Sequence, residues 1–211
     1  MSAVSIVRVP VIACVVEGHG EDEALPVLIR RITRMLEPPI YPVIPSPLRV
    51  GKDRLIKAGE LERTVDLAAR KVRSAGPEGS GGVLVLIDAD DHCPAELGPA
   101  LARRARDASG DVAASVVLAK REFEAWFLAG AASLRGKRGL SEDIEPPTAP
   151  EEVRGAKEWL GKHMVSSRIY SPTVDQPGLT EALDLDATRL GSPSFARCWR
   201  EIVRLVSGPV S

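Results

Sequence analysis

Along the chain, unbroken apolar runs alternate with segments whose apolar residues recur every three or four positions. Val11–Val16 (VIACVV) is six apolar, largely β-branched residues with no polar alternation, the pattern of a strand buried on both faces in a parallel sheet. It ends at Glu17-Gly18-His19-Gly20. Acidic Glu21, Asp22 and Glu23 then precede ALPVLIRRITRML, where Leu25, Leu28, Ile29, Ile32 and Leu36 fall at helical spacing. Acids suit a helix N-terminus, and Pro26 fits the first turn if the helix begins near Asp22 or Glu23. A strand, a glycine turn and a helix make the first half of a βαβ unit.

The proline-rich passage 38–47 contains residues 40–44 as a short edge strand. A helix is predicted over 58–74, closed by Gly76-Pro77, with a loop over 79–82. Residues 83–87 (VLVLI) repeat the buried-strand pattern and run into Asp88-Ala89-Asp90-Asp91-His92. Residues 95–108 read as a helix, 112–118 as a third strand, and 122–128 (EFEAWFL), after Lys120-Arg121, as a further helix. This alternation predicts an α/β fold with a mainly parallel sheet. After about Gly136 no buried strand is evident, and helix-like segments follow near 151–163 and 194–206. Residues 1–135 are therefore expected to form the α/β core, with 136–211 a helical C-terminal extension packed on it in one structural unit.

Composition narrows the function classes. With 211 residues, 44% hydrophobic and 27% charged, the chain can bury a full core and is not globally disordered. Lysine and arginine number 28 against 29 acids, so no overall basic field draws in nucleic acid and any such contact needs a local patch. Aromatics at 4% disfavour a base-stacking module. Cys14, Cys93 and Cys198 lie far apart with no CxxC pair, which fits a reducing compartment and offers no zinc site. No apolar run is long enough for a membrane span and the N-terminus lacks a secretory pattern, so a cytoplasmic protein without membrane contact is expected. Neither GxSxG nor GxxxxGK[ST] is present.

The chemistry-bearing residues stand where α/β sheets place their ligands, just past the carboxyl ends of strands. Glu17 follows the first strand, and Asp88, Asp90 and Asp91 follow VLVLI. If those strands are neighbours, four carboxylates share a crevice, and a hard divalent ion, Mg²⁺ or Mn²⁺, relieves their repulsion. Alternation in Asp88-x-Asp90 puts both side chains on one side of an extended backbone. Glu21, Glu122 and Glu124 are further candidate metal ligands. Lys120 and Arg121, with Arg135, Lys137 and Arg138 on a glycine-flanked loop, are candidate phosphate contacts. His19 and His92 flank the acids, His163 suits a helix C-terminus, and Trp126, Phe127, Trp159 and Trp199 read as core. Each acid also has a plain alternative as a helix cap or a solvated charge, and the basic loop one as solvated surface.

VVEGHGEDEALPVLI followed by VLVLIDADD resembles the Toprim signature: a glutamate after the first strand and a DxD after a later one, 71 residues on (88 − 17). The chain is also similar to a bacterial Toprim-like family of unknown function marked by VEGxxE, DxDD, EFEAW, a lysine, a tyrosine and an sF.r...i helix. Here these are Glu17 to Glu21, Asp88 to Asp91, Glu122 to Trp126, Lys157, Tyr170 and Phe195 to Ile202. The resemblance implies a Toprim-like, Rossmann-like three-layer sandwich and metal-dependent phosphodiester chemistry on DNA or RNA. In it Glu17 acts as general acid/base while Asp88 and Asp90 hold Mg²⁺ against a phosphate. No further domain supplies a topoisomerase tyrosine, so a nuclease is the economical expectation. Toprim-like proteins of phage defence often work beside an AAA- or ABC-type ATPase. By analogy such a partner is implied, and a non-catalytic partner or sensor subunit is the alternative; a homodimer is a further expectation. A haloacid-dehalogenase-like phosphatase fits less well, because its aspartates belong after the first strand.

Overall fold

The computed structural model describes residues 9–75, 81–165 and 168–208. Four strands, β1 (Val11–Val16), β2 (Leu48–Arg49), β3 (Gly81–Asp88) and β4 (Ala113–Ala119), form one sheet in the order β2-β1-β3-β4. Every pairing is parallel, with Ala13 opposite Val83 and Val83 opposite Ala114. Nine α-helices are seen among the described residues. They are α1 (His19–Arg34), α2 (Lys52–Leu55), α3 (Glu60–Ala75), α4 (Pro94–Ser109), α5 (Ala125–Ala129), α6 (Ala156–Lys162), α7 (Pro172–Ala182), α8 (Leu185–Gly191) and α9 (Pro193–Ser207).

All of β1 and all but the first residue of β3 are buried, because helices cover both faces. Ile12, Cys14, Val16, Leu84, Leu86 and Val117 face α1 and α9, while Val11, Ala13, Val15, Val83, Val85 and Val116 face α3 and α4. A continuous apolar run thus divides by its period of two between the two cores. Each fully buried aliphatic side chain contributes about 1.5–3 kcal/mol. Where β1 and β3 first meet, Gly81 has φ 96° and any Cβ would strike the Val11 carbonyl, so only glycine fits. Within 136–208, α9 lies directly on β3 and β4 and α7 packs along α1, so this part of the chain supplies one layer of the sandwich.

Several elements depart from the sequence pattern. Helix α1 begins at His19, not near Asp22, so Pro26 sits in its interior and removes one i→i−4 hydrogen bond. The edge strand is Leu48–Arg49; residues 40–44 contribute a single bridge from Val43 to Val11, since the surrounding prolines lack donors. The expected 58–74 helix is α3, preceded by a separate short helix α2 that the pattern does not announce, and the one expected over 122–128 begins only at Ala125. Helices α7 and α8 carry no clear period: α7 holds Pro172, Pro177 and Gly178. Gly76-Pro77 and residues 79–80 of the expected loop lie outside the described residues, as do residues 1–8 of the N-terminal segment examined for a secretory pattern. Among the described residues no helix is long and apolar enough to cross a membrane.

Candidate functional site

A parallel sheet brings the carboxyl ends of adjacent strands to one edge. Glu17 leaves β1, Asp88 is the last residue of β3, Glu122 and Glu124 lie in the turn after β4, and Glu21 is in the first turn of α1. The Phe123 N–H donates to Asp88 Oδ1 at 2.7 Å, tying the end of β3 to the turn after β4. Glu124 is fully buried; its Oε1 accepts from the Tyr170 hydroxyl at 3.0 Å and from Gln176 Nε2 at 2.8 Å. Glu21, also buried, caps α1 by accepting the Gly18 N–H. The Glu17 carboxylate accepts the backbone N–H of Lys52.

Lys157, in the first turn of α6, enters this cluster as its cation. Its Nζ lies 4.0 Å from Asp88 Oδ2 and 3.8 Å from Glu124 Oε2, and its backbone N–H faces Glu122 Oε2 at 3.4 Å. Burial pushes the Asp88 carboxyl well above the usual range, and the like charges of Glu21, Glu124 and Glu17 add to this against the pull of Lys157. Burial also raises Glu17, opposed by its bond from Lys52, and raises Glu124, opposed by Lys157 and the two donors on Oε1. For Lys157, burial favours the neutral amine, but Glu124, Asp88, Glu122 and Glu21 together outweigh it and hold the ammonium above its ordinary value. Three acceptors, Glu17 Oε2, Glu124 Oε2 and Gln176 Oε1, are buried with no hydrogen-bond partner. Each such atom costs about 1–3 kcal/mol, so the cluster is short of donors or positive charge.

A family model, described as a domain of unknown function (DUF4276), matches residues 16–202, a span holding every group just named. The chain belongs to the DUF4276 family. No curated protein and no solved structure matches it.

In this DUF4276 protein the acids expected to act together fall into two sets. Glu21, Asp88 and Glu124 surround the Lys157 side, with Glu122 at its backbone, while Glu17 stands between the sets, close to Glu21 and Asp88 on one side and to Asp90 and Lys52 on the other. Asp90 has φ 50°, so the backbone is not extended there, and the expected alternation with Asp88 does not hold. The exposed Asp90 carboxylate pairs with Lys52, a lysine only 5% exposed whose ammonium also donates to the Ala89 carbonyl at 3.0 Å. Asp91 is exposed and pairs with Arg121 and Arg154, each at 3.0 Å. Lys120 pairs with Glu152, which lies 3.7 Å from Arg121 as well. Arg135 pairs with Glu145, while Lys137 and Arg138 reach the carbonyls of Ala182 and Val174 at 3.5 and 3.4 Å. His19 and His92 are exposed, and His163 caps α6 with Nδ1 2.8 Å from the Trp159 carbonyl. Trp126, Phe127 and Trp199 are buried; Trp159 is half-buried and stacks on His163.

As a donor set the cluster suits a hard divalent ion: every donor is oxygen, and Glu17 and Glu124 each keep a buried oxygen without a partner. As the side chains stand, no three His, Cys, Asp or Glu residues among the described ones converge tightly enough to hold an ion. An ammonium stands beside Asp88 and Glu124 instead. Lys157 and Tyr170 carry part of the family resemblance, but nothing in their local sequence signals a place in the site. Lys52 and Gln176 have no local signal at all, because each reaches the acids from a helix docked through tertiary packing.

Proposed function

We propose that this DUF4276 protein is a Toprim-like, metal-dependent enzyme that hydrolyses phosphodiester bonds in DNA or RNA. The observation that carries this reading is the meeting of carboxylates from adjacent strand ends, Asp88 after β3 with Glu122 and Glu124 after β4, around one lysine, with Glu17 acting on Asp88 from the end of β1. Burial that raises Glu17 makes it a stronger base than an ordinary glutamate, suited to take a proton from an attacking water. Lys157 offers its charge to a phosphate oxygen, and Lys120, Arg121 and Arg154 are cations that could steer a backbone toward the acids. Bound Mg²⁺ or Mn²⁺, held by Asp88 and Glu124, would polarise a phosphoryl oxygen and acidify its water. The Phe123 N–H keeps Asp88 oriented, and Tyr170 with Gln176 orients Glu124.

The test is incubation of the full chain with plasmid DNA, single-stranded DNA, RNA and bis-p-nitrophenyl phosphate in Mg²⁺ or Mn²⁺. Cleavage that falls by about a hundredfold or more in Glu17→Gln is expected. A folded protein that cuts none of these, or an unimpaired Glu17→Gln variant, refutes the reading.

One observation favours a second role, as the non-catalytic subunit of an AAA- or ABC-type ATPase. The site-side cations Lys120, Arg121 and Arg154 are all paired with Asp91 or Glu152, leaving little free positive charge for nucleic acid. A stable complex with such an ATPase, without cleavage of any substrate in Mg²⁺ or Mn²⁺, would favour that role.

A further inference from the structure

Seven carboxylates lie around the strand ends, and two lysines meet some of them in different ways. Lys52 is 5% exposed, donates to the Ala89 carbonyl at 3.0 Å and pairs directly with Asp90, while its own N–H holds Glu17. Moving that ammonium would strip a buried charge of both partners, so it is fixed. Lys157 is held otherwise. Its side chain is 41% exposed, its two acidic neighbours stand at 3.8 and 4.0 Å, and its Nζ donates no hydrogen bond among the described residues. A long, half-exposed ammonium at those distances can give up its place to another cation, which keeps the buried Asp88 and Glu124 neutralised as it swings toward water. Behind it, Glu124 is fully buried and its Oε2 has no hydrogen-bond partner. Asp88 Oδ2 is the second oxygen on the same ammonium.

We propose that the two lysines divide the acids between them: Lys52 is a permanent counter-cation that withholds Asp90 from ion binding, and Lys157 is a displaceable one whose place beside Asp88 and Glu124 is taken by a single divalent ion. The inference rests on the functional reading above only in taking a divalent cation as the ligand. It departs from the sequence expectation that Asp88 and Asp90 act as a pair. The left-handed backbone at Asp90 turns that carboxylate to Lys52, and Asp91 is engaged by two arginines. The oxygens left for an ion are those grouped at Lys157.

Calorimetric titration of the full chain with Mn²⁺ near neutral pH tests this without reading any cleavage. The wild-type chain should bind one ion. Asp88→Asn should abolish binding, while its amide oxygen still accepts the Phe123 N–H. Lys157→Met should tighten binding by about tenfold or more, since the ion no longer has to displace an ammonium drawn to the same two carboxylates. Lys157→Arg should bind as the wild type does, and Lys157→Gln serves if the methionine variant fails to give a cooperative thermal transition. A Lys52→Met/Asp90→Asn double variant, which removes both partners so that no buried charge is orphaned, should keep the wild-type affinity. Two ions in the wild type, no binding by any variant, unchanged affinity in the Lys157 variants, or a double variant as weak as Asp88→Asn would each overturn the proposal. A chain that binds one Mn²⁺ in this pattern yet cleaves nothing would uphold the proposal while removing the nuclease reading.

Discussion

The support behind the acid cluster can be probed by adding one methyl group. Gly20 is the second residue of α1, and a Cβ there would lie 2.6 Å from Gln176 Cδ and 2.7 Å from the Pro172 carbonyl oxygen. The second obstacle is backbone at the start of α7. The first is a side chain held by its bond to Glu124. Neither yields without α7 shifting from α1. Gly20→Ala should therefore cost about 1–3 kcal/mol in overpacking. Loss of the Gln176 bond to a charged acceptor adds about 1.5–3 kcal/mol, and the helix-propensity gain returns only about 1 kcal/mol. The net is about 1.5–5 kcal/mol of destabilisation. Gly161 supplies the control, being in α6 with nothing within 4 Å of its added Cβ. There the same substitution should stabilise by about 0.5–1 kcal/mol through lost chain entropy alone. Urea unfolding followed by tryptophan fluorescence reads both as midpoint shifts at constant slope. Gly20→Ala within about 0.5 kcal/mol of wild type would mean that α7 is not seated on α1 as described, and the Tyr170 and Gln176 contacts to Glu124 would fall with it.

Three further outcomes are expected. Because Asp88 titrates well above its ordinary value, the folded state binds more protons than the unfolded chain from about pH 4 upward, so this group lowers stability as pH rises through its folded value. Asp88→Asn should therefore melt near the wild-type temperature at pH 4 and above it at pH 8; a difference that does not grow with pH contradicts the burial of that charge. The Glu62 carboxyl has the opposite sign: its hydrogen bonds from Arg104 hold it down to about 2, so the pair stabilises above the unfolded glutamate value and fades as pH falls toward 2. Arg104→Met should lower the melting temperature more at pH 7 than at pH 2, where only its hydrogen bonds to the Ile56 and Lys57 carbonyls remain to be lost. Finally, Cys93 is exposed while Cys14, whose thiol burial pushes up to about 12, and Cys198 are buried, so a thiol reagent should label one cysteine in the native chain and three after unfolding.

The parts of the fold legible in the sequence are those written in local periodicity. VIACVV and VLVLI are apolar on both faces because both faces are covered, and the acids at their ends stand at the sheet's carboxyl edge because all strands run parallel. The edge strand is hard to read because residues 38–47 are dense in proline and only Val43 pairs there. Helix α7 is hard to read because two prolines and a glycine interrupt a segment whose inner face holds polar Asp175, Gln176 and Thr180. Gln176 is buried for a partner far away in sequence, Glu124, and a single chain carries no local mark of such a partner.

The same contrast explains why the acids of the site can be named from sequence and their counter-charges cannot. A carboxylate after a buried strand has its position set by that strand, so Glu17 and Asp88 are placed once β1 and β3 are paired. The backbone at Asp90 breaks the inference one step later, since a φ of 50° sends the side chain to Lys52 and away from its neighbour. Lys52 and Lys157 arrive from helices α2 and α6, whose docking depends on the whole chain. Yet the acids could not stay buried and close without them, because Asp88 faces Glu17, Glu21 and Glu124 against a single ammonium. Removing that ammonium without supplying another cation would drive protons onto Asp88 and Glu124. The chemistry available at this edge is therefore set as much by what neutralises the carboxylates as by the carboxylates themselves.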